Sequence, residues 1–212
     1  LPKTKLIVDE NCYMDVLQIA EGTYSPNKKF MGIEELEYML YNNKLLSGIS
    51  WTLPLLLQLD HNVVSTLPDK GEVILLREND KLPFAILKIS NIEKIQNKKK
   101  IAKLWFDTDD IKHPGVKKFL SKGDYIINGQ PFLLTNYKNK TKNKFELTPK
   151  QTREVFDHKG WHKVIGFHTR NVVHRGHEHI QIEALKKYNA DAIFISPVTG
   201  IKKKGDFNSN VI

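Results

Sequence analysis

The sequence predicts an α+β chain in two parts, a mostly β first part with helices inserted and then the start of an α/β part built on parallel strands. Three observations carry this. Short apolar segments punctuated by turn residues fill the first half. A lysine- and asparagine-rich stretch at 136–144 shows no periodicity and reads as a linker. Beyond it the order becomes strand, helix, strand, with nearly all-apolar strands. The first domain is expected over 1–158 and the second over 159–212. The second is expected to be incomplete, because two parallel strands and one helix cannot cover their own apolar faces. Further chain or another subunit is expected to cover them.

Each element has its own signal. Segments 73–76 and 84–89 flank the polar run Arg77-Glu78-Asn79-Asp80-Lys81 and read as a β-hairpin. Segments 101–106 and 125–127 read as further strands. Ile33, Leu36, Met39 and Leu40 share one face of a helix over 33–43. Pro114 suits a first helical turn, so a short helix is expected over 114–120. Thr148-Pro149-Lys150-Gln151 is a capping-box pattern that opens a helix, and Gly160 should close it. The run 164–167 reads as a strand covered on both faces. A helix over 176–188 places Ile180, Ala184, Leu185 and Tyr188 together, and 191–196 is a second buried strand. No internal repeat is present.

Composition narrows the function classes. The 212 residues carry 33 basic and 24 acidic side chains, a formal charge of +9. Only Arg77, Arg153, Arg170 and Arg175 are arginines, which leaves 33 − 4 = 29 lysines. Nucleic-acid surfaces lean on arginine for bidentate contacts. Here lysine comes in solvated runs at 98–100, 138–144 and 202–204 without aromatic interleaving, which argues against a nucleic-acid partner; a small anionic substrate suits the same field. The most apolar stretch, 51–59, is short and broken by Pro54, so no membrane span is expected. The first twenty residues mix charges with apolar side chains and do not read as a secretory signal. Cys12, the one cysteine, reads as a small buried apolar residue in a cytoplasmic protein.

Chemistry concentrates late in the chain. His158, His162, His168, His174, His177 and His179 fall around the end of the first parallel strand. Open α/β sheets bind ligands at the carboxyl ends of their strands, where a helix N-terminus favours phosphate. The segment there, His168-Thr169-Arg170-Asn171-Val172-Val173-His174-Arg175-Gly176-His177, offers two arginines, a hydroxyl, an amide and three imidazoles, and Gly176 permits close backbone approach. Four readings of His174 and His177 stand side by side. The favoured one is a clamp on phosphate; the others are a metal site with Glu178 or His179, a nucleophilic histidine, and a helix cap without chemistry. No metal site is expected, since neither a His-Glu-x-x-His nor a cysteine set is present.

These residues carry a family resemblance. Thr169-Arg170-Asn171-x-x-His174-x-Gly176-His177 resembles the Q-T-R-N-P-x-H-x-x-H signature of ATP sulfurylases. Gly22-x-Tyr24-Ser25-Pro26 with Phe30-Met31 is similar to that family's G-x-F-S-P-L-x-G-F-M, and His113-Pro114-Gly115-Val116 to its H-P-A-V. Pro197-Val198-x-Gly200-x-x-Lys203-x-Gly205-Asp206 is similar to its H-P-V-V-G-x-T-K-P-G-D. The resemblance implies a PUA-like N-terminal domain followed by the start of a Rossmann-like nucleotidyltransferase domain. It also implies conversion of MgATP and sulfate to adenosine 5′-phosphosulfate and pyrophosphate, by direct attack of sulfate on the α-phosphorus. Carried over by position, Arg170 would bind sulfate and Asn171 would orient the phosphates. Thr169 and His168 would add contacts, and His174, Gly176 and His177 would steady the ATP phosphates. ATP and sulfate are the implied partners, Mg2+ accompanies ATP, and the full-length protein is expected to form a homo-oligomer.

The sequence departs from the pattern at His168 for glutamine, Val172 for proline, Ser196 for histidine, Lys202 for threonine and Lys204 for proline. The family's G-R-D-H-A segment does not occur before Ile212. Three other readings remain open at this point: a nucleotidyltransferase with a different acceptor, an RNA-binding PUA-like module, and a non-catalytic relic whose truncated site binds nothing.

Overall fold

The computed structural model describes residues 2–135, 137, 146–198 and 205. They form two compact units, Leu1–Thr148 and Pro149–Ile212.

The first unit is built on a five-stranded sheet in the order β1-β3-β4-β5-β2, from β1 (Lys5–Val8), β2 (Gln58–Leu59), β3 (Gly71–Arg77), β4 (Pro83–Lys94) and β5 (Tyr125–Leu133). β1 pairs parallel with β3 and every other neighbour is antiparallel. The expected hairpin is β3 and β4, with Val73 opposite Leu87 and Ile74 opposite Ile86. β4 runs past the expected end because a shift in register between Ile89 and Asn91 lets it bend and keep pairing with β5.

Helices cover both faces. α1 (Glu10–Glu21), which the sequence reading left unassigned, opens on Asp9, whose carboxylate accepts from the Cys12 amide at 2.8 Å. It closes on Gly22 at φ 85, a left-handed position that glycine adopts without strain. α2 (Ile33–Asn42) and α5 (Pro114–Ser121) lie where the apolar spacing and Pro114 put them, and the short α3 (His61–Val64) follows β2.

One expectation is corrected. The segment 101–106 belongs to α4 (Lys98–Phe106), a helix and not a strand. Isoleucine, tryptophan and phenylalanine favour strands, but Asn97 caps the Lys100 amide at 2.9 Å and the helical spacing buries Ile101 and Ala102 on one face. Lys98 docks inward: its ammonium donates to the carbonyls of Leu120 at 2.9 Å and Lys122, and to Asp124 at 3.1 Å. Those carbonyls end α5, so Lys98 satisfies groups that the helix leaves unpaired.

Two cores result. Val16, Ile19, Phe84, Leu87 and Ile127 belong to one cluster, and Leu36, Met39, Ile101, Phe119 and Ile126 to the other. Ile126 and Ile127 are neighbours on β5, so they point to opposite faces and the sheet separates the clusters. Cys12 is buried in the first cluster, and burial pushes its thiol pKa up, as an inert thiol requires. Gly123 is dictated by packing: a Cβ there would lie 1.9 Å from the Leu59 carbonyl carbon.

The second unit comprises α6 (Pro149–Lys159), β6 (Val164–Thr169), α7 (Arg175–Tyr188) and β7 (Ala192–Pro197). β6 and β7 pair parallel from Val164 opposite Ala192 to Thr169 opposite Pro197. α6 ends at Gly160, φ 67, as expected. It goes with the second unit, ahead of the 158/159 division drawn from sequence, because Phe156 packs edge-on to Phe194 of β7 with centroids 5.8 Å apart. Asp191 sets the strand starts: one carboxylate oxygen accepts from the amides of His162 and Lys163, both at 2.8 Å. These two amides, Lys163 first, hold its pKa below the usual carboxylate value. The strand 164–167 was expected to be buried on both faces; its four residues are half-buried or exposed, and Phe194 and Ile195 on β7 are exposed. No described helix is long and apolar enough to cross a membrane.

Candidate active site

The candidate residues gather at the carboxyl end of β6 and the start of α7. His168 and Thr169 are the last two residues of β6, with Ser196 and Pro197 opposite them on β7. Thr169 is buried, and its hydroxyl works locally. It accepts from the Asn171 amide at 3.0 Å and donates to the Asn171 carbonyl at 3.2 Å. The Val198 amide donates to the Thr169 carbonyl at 2.9 Å. Thr169 thus ties the turn that carries Arg170 and Asn171, both exposed, to the strand ends.

His174 is the N-cap of α7, with φ −133 and ψ 174. Its Nδ1 accepts from the Gly176 amide at 3.1 Å, while the Nδ1 of His177 accepts from the His174 amide at 3.3 Å. The two imidazoles therefore form a reciprocal cap, the arrangement that serine and glutamate make in a capping box. Their centroids are 4.0 Å apart with 31° between planes, and Phe167 meets His177 edge-on at 5.5 Å. Gly176 has a steric reason: a Cβ would come within 3.1 Å of His174 Cε1 and displace the ring.

The cap has a chemical consequence. A ring nitrogen that accepts a hydrogen bond carries no proton, so a neutral imidazole bonded in this way has its hydrogen on Nε2. Both histidines then keep one N–H donor uncommitted beside the positive end of a 14-residue helix. Two imidazole donors, a helix terminus and the arginines at 170 and 175 in the same segment suit an anion with several oxygens.

The other motif residues are structural. Gly22 ends α1, Phe30 and Met31 are buried, and His113 Nδ1 caps α5 by accepting from the Val116 amide at 3.3 Å. His158, His162 and His179 are exposed. The run 199–204 and Asp206 lie outside the described residues, as does most of 136–144. Among the described residues no three His, Cys, Asp or Glu side chains are arranged to hold a metal ion. Sequence reasoning missed Ser196 as the cross-strand neighbour of His168, which only the register reveals.

Known proteins supply the decisive comparison. The family described as PUA-like domain matches residues 2–136, and the family described as ATP-sulfurylase matches residues 143–212. A sulfate adenylyltransferase of Ignicoccus hospitalis is 38% identical over 205 residues, 97% of this chain and 52% of that protein. The chain belongs to the ATP-sulfurylase family. One from Pyrococcus abyssi is 37% identical over 208 residues, 98% of this chain and 52% of that protein. One from Nostoc punctiforme is 32% identical over 212 residues, 100% of this chain and 52% of that protein. The chain thus spans about half the length of the curated relatives it matches. A solved hexameric APS kinase from Thiobacillus denitrificans superposes with a TM-score of 0.67 at 17% identity, over 96% of this chain and 36% of that one, a likeness of fold alone. The ATP-sulfurylase resemblance drawn from the motifs and the PUA-like first unit agree with these comparisons.

Proposed function

We propose that this chain carries the nucleotide- and sulfate-binding elements of a sulfate adenylyltransferase, which converts MgATP and sulfate to adenosine 5′-phosphosulfate and pyrophosphate. The reciprocal imidazole cap at the start of α7 is the observation that carries the reading. A sulfate oxygen attacks the α-phosphorus, the bond to the bridging oxygen of pyrophosphate breaks, and no proton transfer is needed because both nucleophile and leaving group are anions. What catalysis requires is placement of donors where charge builds up. The Nε2–H groups of His174 and His177 are the proposed donors to the phosphate oxygens. Arg170 is the proposed holder of sulfate, and Asn171 orients the phosphates on the turn pinned by Thr169. His168, at the end of β6, supplies an imidazole to the substrate edge. Magnesium enters bound to the phosphates of ATP. Unit 1 then serves as the PUA-like domain and 149–212 as the first part of the nucleotidyltransferase domain. A homo-oligomer and a cytoplasmic setting complete the proposal; the hexameric state of the solved neighbour supports the former.

The test is sulfate-dependent pyrophosphate release from MgATP, together with ATP binding by calorimetry. The expected result is release that requires sulfate and falls by about 10²–10³ in Arg170→Ala, the usual cost of removing a donor to a charged transition state. Release without sulfate dependence would reassign the acceptor. Loss of neither ATP binding nor turnover in His174→Ala and His177→Ala would defeat the clamp.

A further inference from the structure

Gln181 is the one buried residue of α7, at 8% exposure, and it is polar. Its flanking residues Ile180 and Ile182 stay 59% and 41% exposed, so the helix turns an amide inward where an isoleucine was available. Gln181 Nε2 is shut off from solvent and has no hydrogen-bond partner. A buried donor left unpaired weakens a fold, and an apolar side chain in its place carries no such cost. Local rules broken in this way concentrate at functional sites.

The acceptor for this donor has to come from close by, because the atom is sealed against groups arriving from solvent. Phe167 meets His177 edge-on, so by alternation Ile165 and Thr169 of β6 also face α7, together with their partners Ile193, Ile195 and Pro197 on β7. Of these, Thr169 has the one side-chain acceptor, and its hydroxyl is engaged twice with Asn171. On α7 itself the neighbours toward the N-terminus are His177, four residues back and half-buried, and Glu178, three back and exposed. Helix side chains lean toward the N-terminus, which sets the Gln181 carboxamide over the turn that carries His177.

We propose that Gln181 is a positioning residue for His177, its Nε2–H serving as a second donor to Nδ1 of that ring. The inference rests on the phosphate-clamp reading above. In this structure Nδ1 accepts from the His174 amide at 3.3 Å, a long hydrogen bond. When Nε2–H of His177 engages a phosphate oxygen and the ring turns toward it, that contact lengthens further and the carboxamide takes over. Nδ1 stays an acceptor throughout, so the hydrogen remains on Nε2, where the clamp needs it. Without Gln181 the turned ring has no donor on Nδ1, and its hydrogen settles on either nitrogen.

The experiment compares the 212-residue chain with Gln181→Met, which keeps the length of the side chain and lacks the donor. Gln181→Leu is the second variant, should methionine disturb the packing. Measured are the thermal midpoint, the affinity for inorganic pyrophosphate by calorimetry, and the imidazole nitrogen chemical shifts of His177 with and without pyrophosphate. The variant's midpoint should equal or exceed that of the parent chain, since the unpaired donor is gone. Its affinity should be about fivefold weaker, the worth of one neutral hydrogen bond. In the complex its His177 should show both tautomers, where the parent shows Nε2–H alone. An unchanged tautomer in the variant's complex overturns the proposal whatever the midpoint or affinity does, because Gln181 then only fills space. Absence of pyrophosphate binding by the parent chain defeats the clamp reading itself, and the role of Gln181 with it.

Discussion

The two units use similar apolar content in opposite ways. In unit 1, Phe84, Leu75, Leu87 and Ile127 are fully buried, and a sheet with helices on both faces separates two cores. Among the described residues of unit 2, Ala192 is the one apolar side chain that is buried; Ile180, Tyr188, Phe194 and Ile195 are exposed. Unit 2 is held instead by polar fastenings: Asp191 on two amides, Thr169 on the turn, and histidines on the start of α7. A fully buried large side chain stabilises by roughly 1.5–3 kcal/mol, whereas a neutral hydrogen bond nets about 1 kcal/mol. Stability therefore resides mainly in unit 1, while unit 2 carries the proposed site.

Paired substitutions can break that comparison. Phe84→Ala should cost about 3–5 kcal/mol in urea unfolding, the usual penalty for emptying a sealed site. Phe194→Ala, at a side chain 38% exposed, should cost under about 2 kcal/mol. Equal costs would mean that Phe194 is as well covered as Phe84. Next come the glycines. Gly123→Ala drives a methyl into the Leu59 carbonyl and should cost about 3 kcal/mol, while Gly166→Ala meets nothing within 4 Å and should change the thermal midpoint little. Amide exchange sharpens the contrast without mutation: β4 and β5 amides should be protected up to the global unfolding limit and those of β6 and β7 should exchange faster.

The smallest effects test sign. Burial raises the pKa of Asp15, so its folded form holds a proton more tightly than the unfolded chain does. The cost of its charge is absent below the unfolded value of 3.8 and grows as pH rises through the folded value. Asp15→Asn should therefore raise the thermal midpoint at neutral pH and leave it unchanged in acid. Asp9 behaves oppositely. Burial alone would raise its pKa, but the Lys122 hydrogen bond, the Cys12 amide and the charges of Lys122 and Lys118 outweigh it and bring it down. Its contribution is present above 3.8 and lost as pH falls through the lower folded value. Asp9→Asn should lower the midpoint at neutral pH by less than about 1 kcal/mol equivalent, because the pair is a third exposed and screened.

The sequence made the punctuation legible. Pro114, Gly160 and the alternation across Val73–Leu87 mark structure through local backbone rules, and those elements stand where expected. α4 defeated the reading because Ile101, Trp105 and Phe106 favour strands in isolation, and their helical face is set by what packs in the same cluster, Phe119 and Val116. α1 was missed although Asp9 and Gly22 are good caps, because its apolar residues Val16 and Ile19 are diluted by charge. At the candidate site the residue types and their place at a strand end were legible. The reciprocal imidazole cap and the His168–Ser196 adjacency were not, since both depend on ring orientation or strand register.

Lys98 has a consequence of a different kind. The chain carries dozens of basic side chains, almost all lysines, and most of the described lysines stand in solvent. Lys98 is 13% exposed and spends its three ammonium hydrogens on the carbonyls of Leu120 and Lys122 and on Asp124. An acylating reagent will tag its neighbours Lys99 and Lys100 within the native state but must wait for α4 to lift away before it reaches Lys98. The fraction of Lys98 left unlabelled over time is thus a clock for the opening of unit 1, wound into the sequence one residue from its own control.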